Sequence, residues 1–259
     1  MPDPYIGVCD FESAQQAAAL TKVMRATSEP LSRRRLMVGV MLSYKTMHGI
    51  ESKWSAVWPT KEDIAAIFAP QPFGLNTLHY ADFVGKSTAV DLVRAAGFGG
   101  PHLDAVQLDM IWPDPDDLFV FGDARPDLKV VLQVNTKAME DCYDDPEQIA
   151  DRLDDYGGAV DYVLLDRSMG RGQGLDAEAL LPYLRTLAER KPDLGLAVAG
   201  GLGPDTLHLI DPILEEFPGI SVDAQSGLHI GGQSLATIDS GRATLYVQRA
   251  AQLFRKFGT

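Results

Sequence analysis

Short apolar runs rich in β-branched residues alternate along this chain with longer segments of helical periodicity. The runs lack the period-two alternation of a strand with one solvated face, so each is typical of a strand buried on both faces. Eight such runs are present, at residues 5–11, 36–42, 76–83, 103–109, 129–135, 160–166, 194–200 and 219–224. Each is followed by enough chain for a crossover helix.

Two of the crossovers depart from a simple helix. Residues 43–75 are longer than one strand-to-helix connection needs, which predicts an extended loop over the strand ends, with a helix near its end. Thr60 is a plausible N-cap for that helix, with Asp63 at the capping-box position. After the fourth run, residues 112–127 contain three prolines and a glycine, which predicts only a weak helix there.

The count of strands and helices favours a closed architecture. Eight βα units in 259 residues match the size of a (β/α)8 TIM barrel, an α/β fold with an all-parallel sheet. An open, doubly wound sheet has the same alternation and is the competing interpretation. No linker or low-complexity segment interrupts residues 1–259, so we expect a single domain.

Polar residues stand where several of these strands end. Cys9 ends the first strand, Asp109 the fourth, Asp166 the sixth and Asp223 the eighth. Barrel enzymes place their active sites at the carboxyl ends of the strands. A single aspartate at this place commonly caps a loop, but three carboxyls in one ring facing a thiol indicate proton-transfer chemistry.

Glycine-rich loops follow the last three strands, with the sequences SMGRGQGLD, AVAGGLGPD and AQSGLHIGG. Glycine lets the backbone approach a ligand and turn its N–H groups towards it, and loops after strands seven and eight often bind phosphate in barrels. Glycine is also common in ordinary turns. The candidate phosphate-binding residues are Gly172, Gly200, Gly201, Ser226 and Gly227.

Composition narrows the partners. The net charge of -13 repels nucleic acid and anionic membranes, so neither is an expected partner, and a phosphate group must be held by local contacts. No apolar run approaches the ~20 residues of a membrane span. The two cysteines lack metal-ligand spacing, and we expect no metal or cofactor. The N-terminal residues do not form a secretion signal, so we expect a cytoplasmic protein of unknown oligomeric state.

These strand ends resemble phosphoribosylanthranilate isomerase, a barrel enzyme of tryptophan biosynthesis. That family reads VDxSSGVE at its eighth strand and AGGLNPENV at its seventh, where this chain has VDAQSGLH and AGGLGPDTL. The family's VQLHG and KICG correspond to VQLDM and GVCDF here. The similarity is strongest over residues 103–232.

The resemblance implies an Amadori rearrangement of a phosphorylated aminosugar. The family's general acid, the aspartate that ends strand six, corresponds to Asp166, and its general base corresponds to Cys9. The aspartate that holds the amino-aryl end of the substrate corresponds to Asp223. Backbone amides near Gly201 and Ser226 would hold the phosphate.

Other positions differ from the family pattern. His48, with Lys45 three residues earlier, stands where the family has the arginine that meets the anthranilate carboxylate. Asp109 replaces a histidine and Asp10 replaces a glycine. We therefore expect a substrate site formed by Lys45, His48, Asp109 and Asp223 with altered aryl or carboxylate recognition. Another phosphosugar-processing barrel enzyme, such as a lyase or epimerase, or a non-catalytic phosphosugar-binding protein, stays open as an alternative.

Overall fold

Eight parallel strands form a closed barrel in the computed structural model, which describes residues 1–28, 33–70, 73–167, 174–233 and 235–258. Each strand pairs with its sequence neighbours, and β1 closes the barrel against β8. The strands are β1 (Tyr5–Val8), β2 (Arg35–Ser43), β3 (Gly74–Asp82), β4 (Ala105–Met110), β5 (Lys129–Asn135), β6 (Tyr162–Asp166), β7 (Gly195–Ala199) and β8 (Ser221–Ala224). The predicted TIM barrel is confirmed, and the open sheet is excluded.

Helices cover the outside of the barrel. They are α1 (Ala14–Thr27), α2 (Tyr44–Met47), α3 (Ile64–Ile67), α4 (Ala89–Phe98), α5 (Pro115–Ala124), α6 (Thr136–Asp141), α7 (Pro146–Asp154), α8 (Ala177–Arg190), α9 (Asp211–Glu216) and α10 (Ser240–Lys256). One large apolar cluster lies between the strands and these helices, and a second lies inside the barrel. The strands are thus buried on both faces, as their unbroken apolar pattern predicted.

The weak helix predicted at residues 112–127 is in fact regular. Asp114 caps α5 by accepting a hydrogen bond from the amide of Asp116. Pro115 occupies the first turn, where its missing N–H has no partner to lose. The proline therefore favours the start of this helix, and the expectation of a broken one was wrong.

The helix expected from Thr60 is shorter than its pattern suggested. It spans only Ile64–Ile67, and its N-cap residue is Asp63, whose side chain makes no capping hydrogen bond. The hydroxyl of Thr60 donates to the Asp63 carboxylate at 2.5 Å instead. The capping box therefore forms a turn before the helix, and Trp54 and Trp58, earlier in the extended segment, lie near the carboxyl ends of β2 and β3.

A buried arginine ties the opposite end of the barrel together. Arg34 is 4% exposed and donates to the main-chain oxygen of Ile220 at 2.7 Å. Its guanidinium lies 3.4 Å from the centre of the Phe254 ring. The contact joins the start of β2 to β8 and α10.

No helix in the described part of the chain is long and apolar enough to cross a membrane.

Candidate active site

The barrel interior is polar near the carboxyl ends of the strands, whereas apolar side chains usually fill the interior of such a barrel. Side chains from five strands form one hydrogen-bonded series that begins at β1 and ends at β6. Its members, in order, are Cys9, Asp223, Gln107, Gln133 and Asp166. Because buried polar groups destabilise a fold unless they are paired, this series indicates a site maintained for binding or chemistry.

Each contact in the series is short enough to orient its neighbour. The Cys9 thiol lies 3.5 and 3.6 Å from the two carboxylate oxygens of Asp223. Gln107 donates to Gln133 Oε1 at 3.0 Å, and its Nε2 is 3.4 Å from Asp223 Oδ2. Gln133 in turn donates to Asp166 at 3.1 Å. The three sequence-predicted residues in this group therefore lie in one network.

Burial controls the protonation of the Cys9–Asp223 pair. It raises the pKa of Asp223 to about 6, against lowering by the His79 charge and by hydrogen bonds from Cys9 and Gln107. Burial and the adjacent Asp223 carboxylate also raise the pKa of Cys9 well above its ordinary value. The resting pair is therefore a thiol that donates to a carboxylate.

A second polar group adjoins this series. His79 Nε2 lies 3.7 Å from Asp109 Oδ2, and Asn135 donates to Asp109 Oδ1 at 3.2 Å. Burial lowers the pKa of His79, but the hydrogen bond and the charge of Asp109 outweigh it and the net pKa is raised. Sequence reasoning gave His79 no role in the site, because its place in the sequence is unconnected with the other candidates.

Two adjoining cavities open above these residues. The inner cavity, about 40 Å³, is lined by His79, Asp166, Asp223 and the two glycine loops. The outer cavity, about 240 Å³, is lined by Asp109, Asn135, His229 and an aromatic wall. Both are lined by Gln133, Asp166, Gln225 and Ser226, so together they form one continuous site.

The aromatic wall comes from the extended segment after β2. Trp54 and Trp58 stack with their ring centres 5.0 Å apart and nearly parallel planes. Phe83, which follows β3 and is 54% exposed, also lines the cavity. Sequence reasoning predicted that residues 43–75 lie over the barrel but did not identify these rings. Such a wall suits a flat ring on a ligand.

The loops after β7 and β8 form the other wall. Gly200 and Gly201 have φ of 134° and 57°, in the region that favours glycine. A Cβ at Gly227 would overlap the carbonyl oxygen of Leu202, so the two loops pack backbone against backbone. Ser226 and Gly227 line the inner cavity beside Gly200 and Gly201. Gly172, the remaining candidate, lies outside the described residues.

Neither of the two basic candidates after β2 lines the inner or the outer cavity. His48 is exposed and binds Asp91 at 2.9 Å across a short gap to α4. Lys45 lines a third cavity of about 320 Å³, which shares Lys53, Trp54, Trp58, Ala81 and Phe83 with the outer cavity. Lys53, which sequence reasoning did not select, lines the outer cavity and lies 4.8 Å from the Trp54 ring centre. The described residues contain no group of three or more His, Cys, Asp or Glu placed to hold a metal ion.

Solved structures with the same architecture include isomerases. The chain matches phosphoribosyl anthranilate isomerase from Thermus thermophilus with a TM-score of 0.64 and 18% identity, over 96% of this chain and 99% of that one. It also matches a phosphoribosyl anthranilate isomerase in complex with reduced 1-(o-carboxyphenylamino)-1-deoxyribulose 5-phosphate, with a TM-score of 0.57 and 16% identity, over 97% of this chain and 100% of that one. This chain has the fold of a phosphoribosylanthranilate isomerase.

That fold is not restricted to one activity. The catalytic domain of a chitinase from Pyrococcus furiosus matches with a TM-score of 0.58 and 13% identity, over 100% of this chain and 98% of that one. No family model matches the sequence, and no curated protein sequence matches it significantly. The resemblance in sequence to phosphoribosylanthranilate isomerase is therefore confirmed in the fold, and activity must be argued from the site.

Proposed function

We propose that this protein is an isomerase that converts an N-substituted 5-phosphoribosylamine into the corresponding aminoketose phosphate by an Amadori rearrangement. The observation that carries the proposal is that two strand-end carboxyls, Asp166 and Asp223, line the same inner cavity as the glycine loops after β7 and β8. The proposed acid, Asp223 and the proposed phosphate-binding loops border one space, and Cys9 lies behind Asp223, with which it pairs.

Asp166 is the proposed general acid. It is 8% exposed, lines both cavities and accepts a hydrogen bond from Gln133, which fixes its orientation. Its carboxyl would give a proton to the ring oxygen of the sugar while the nitrogen lone pair breaks the bond between that oxygen and C1. The ring opens to an iminium ion, and Asp166 is left as a carboxylate.

Cys9 is the proposed base, acting together with Asp223. Its thiol already donates to Asp223, a carboxyl whose pKa is raised by burial to about 6 and which is therefore a stronger proton acceptor than an ordinary aspartate. Transfer of the thiol proton to Asp223 leaves a thiolate, and the thiolate takes the C2 proton of the iminium ion. The C2–H electron pair then forms the C1–C2 double bond of an enolamine, which rearranges to the ketone.

The phosphate would bind to the backbone of the two glycine loops. The positive φ of Gly200 and Gly201 and the absence of a side chain at Gly227 let amide groups approach an anion closely. A local site of this kind is required because the protein carries a net charge of -13.

The substituent on nitrogen would lie in the outer cavity, with an aromatic ring stacked against Trp54 and Trp58. Asp109 lines the same cavity, and its negative charge opposes a carboxylate placed beside it. His48, at the position of the family's carboxylate-binding arginine, instead pairs with Asp91. We therefore propose that recognition rests on stacking, and that an aryl carboxylate is a poorer substituent than the same ring without the acid.

The decisive test is turnover of phosphoribosylanthranilate, generated in situ and followed by its loss of fluorescence, beside phosphoribosylaniline, which lacks the carboxylate. Asp166→Asn and Cys9→Ala should each lower turnover by about 10²- to 10⁴-fold. Asp193→Asn, on the opposite end of the barrel, and Cys142→Ala are matched controls that should keep it. Asp109→Asn should reduce the difference in turnover between phosphoribosylanthranilate and phosphoribosylaniline, because it removes the negative charge that opposes the carboxylate.

The outcomes separate the parts of the proposal. No turnover of either substrate by the folded protein would refute the isomerase activity and favour the lyase, epimerase or binding alternatives. Turnover that survives Cys9→Ala would refute only the assignment of the base. A preference for the anthranilate compound over the aniline compound would refute the stacking argument.

A further inference from the structure

A buried ion pair joins the end of β1 to the loop after β8. His229 Nε2 lies 2.8 Å from Asp10 Oδ2, and the two side chains are 1% and 3% exposed. The residues are 219 positions apart in the sequence. Neither takes part in the proposed proton transfers, so the pair needs a separate explanation.

The hydrogen bonds of the ring require a charged histidine. Nε2 faces Asp10, and Nδ1 lies 3.0 Å from the main-chain oxygen of Gln233. Neutral imidazole has one N–H, so only the imidazolium ion donates to both oxygens. The contact is therefore a buried ion pair supported by a second hydrogen bond, and both charges would be poorly tolerated alone.

Asp10 adopts a backbone conformation that disfavours any residue except glycine. Its φ is 74°, and the family that this chain resembles has glycine at this position. Aspartate tolerates the left-handed region better than most residues but is still strained there. Because glycine would remove that strain, the carboxylate must provide something that glycine lacks, and its described partner is His229.

The segment that His229 anchors carries one wall of the candidate site. Main-chain hydrogen bonds hold the loop around His229 together between Ser226 and Asp239. The His229 amide donates to the Ser226 carbonyl at 3.2 Å, and the Asp239 amide donates to the Leu228 carbonyl at 2.9 Å. Ser226 and Gly227 at the start of this loop line the inner cavity. Displacement of His229 would therefore move the turn to which the phosphate is assigned.

We infer that Asp10 and His229 are positioning residues, whose ion pair holds the Ser226–Gly227 turn in the conformation that binds the phosphate of the substrate. The inference rests on the proposed function for the presence of a sugar phosphate. The pair thereby makes Asp10, which follows β1, a determinant of substrate affinity. Neither Asp10 nor His229 has a role at the reacting atoms in the proposed reaction.

The test is binding of ribose 5-phosphate, measured by calorimetry on the full chain. His229→Gln and Asp10→Gly should each weaken binding by at least about tenfold, because each leaves one member of a buried pair without its partner. Asp10→Gly also relieves the strained φ, so a general loss of folding is not expected from it. His208→Gln, at an exposed histidine, is the matched control. The double variant, Asp10→Gly with His229→Gln, should bind ribose 5-phosphate no more weakly than the single variant with the lower affinity, because both substitutions break the same pair.

The pH dependence provides a second readout. Burial lowers the pKa of His229, but the hydrogen bond and charge of Asp10, with the Gln233 carbonyl and Glu12, raise it overall. A raised histidine pKa means that the ion pair is complete at low pH and is lost as the pH rises through that value. Ribose 5-phosphate is a dianion above about pH 7.5, so affinity for it should fall as the pH rises through the pKa of His229 in the unmodified protein and stay level in His229→Gln.

The two proposals fail differently. If the unmodified protein does not bind ribose 5-phosphate, the phosphate site itself is refuted. If it binds and the affinities of folded His229→Gln and Asp10→Gly stay within twofold of it, the positioning role is refuted while the phosphate site stands. Parallel pH profiles for the unmodified protein and His229→Gln would also refute it. Hydrogen exchange at the amides of residues 226–239 should rise in both variants, and unchanged exchange would show that the pair does not hold the loop.

Discussion

Replacement of Asp223 by asparagine is expected to make the barrel more stable while it removes a group that the proposed reaction needs. Burial is the main cause that raises the pKa of this carboxyl from 3.8 to about 6. Because one pKa unit corresponds to about 1.4 kcal/mol, the ionised carboxylate destabilises the folded state by about 3 kcal/mol. Asparagine has nearly the same shape and carries no charge.

The sign follows from proton binding. The folded chain binds the Asp223 proton more tightly than the unfolded chain, so stability from this group falls as the pH rises from about 4 to about 6 and is level above that. The penalty is about 3 kcal/mol at pH 8 and about half of that at pH 5. Asp223→Asn should remove this penalty. The increase in the free energy of unfolding over the unmodified protein should therefore be about twice as large at pH 8 as at pH 5.

Urea unfolding at both pH values, followed by circular dichroism, measures this difference directly. The dependence of the unfolding free energy on urea should be the same for both proteins, since the surface exposed on unfolding is unchanged. Asp193→Asn, at an exposed carboxyl, should change stability by less than about 0.5 kcal/mol. An Asp223→Asn protein that is no more stable at pH 8 would show that the hydrogen bonds from Cys9 and Gln107 outweigh burial, and the reasoning would be wrong.

Three further predictions concern single contacts. His79→Gln removes a positive charge that lowers the pKa of Asp223, so carbon NMR of the Asp223 carboxyl should show it titrating at higher pH; a lower value would contradict the assigned charge. Gly227→Ala should abolish ribose 5-phosphate binding, because the new Cβ overlaps the Leu202 carbonyl; calorimetry that shows normal affinity would exclude the close packing of the loops. Arg34→Met should lower the unfolding free energy by about 2–4 kcal/mol, because it leaves buried carbonyls without a donor; a urea midpoint equal to that of the unmodified protein would count against this.

The barrel architecture, and the part of the site formed by Asp166, Asp223 and the glycine loops, could be predicted from the sequence because both depend on local patterns. Strands buried on both faces appear as unbroken apolar runs whatever their neighbours are, so eight runs favoured a barrel, and the pairing of β1 with β8 excluded the open sheet. Asp166, Asp223 and the glycine loops follow such runs directly, and parallel strands bring their carboxyl ends to one side. Local chemistry alone was less reliable for helices, since Pro115 begins α5 where a broken helix was predicted.

The tertiary structure decided which polar side chains meet. Gln107, Gln133 and His79 stand inside apolar strands, and their spacing gives no indication that they face the same space; the strand register places them there. The contact of Cys9 with Asp223 spans 214 positions, and that of Asp10 with His229 spans 219. Barrel closure brings β1 beside β8, and so it turns distant, individually ordinary residues into buried pairs with altered protonation. A residue's burial and its charged neighbours set that chemistry, and both are properties of the closed barrel that no local stretch of sequence contains.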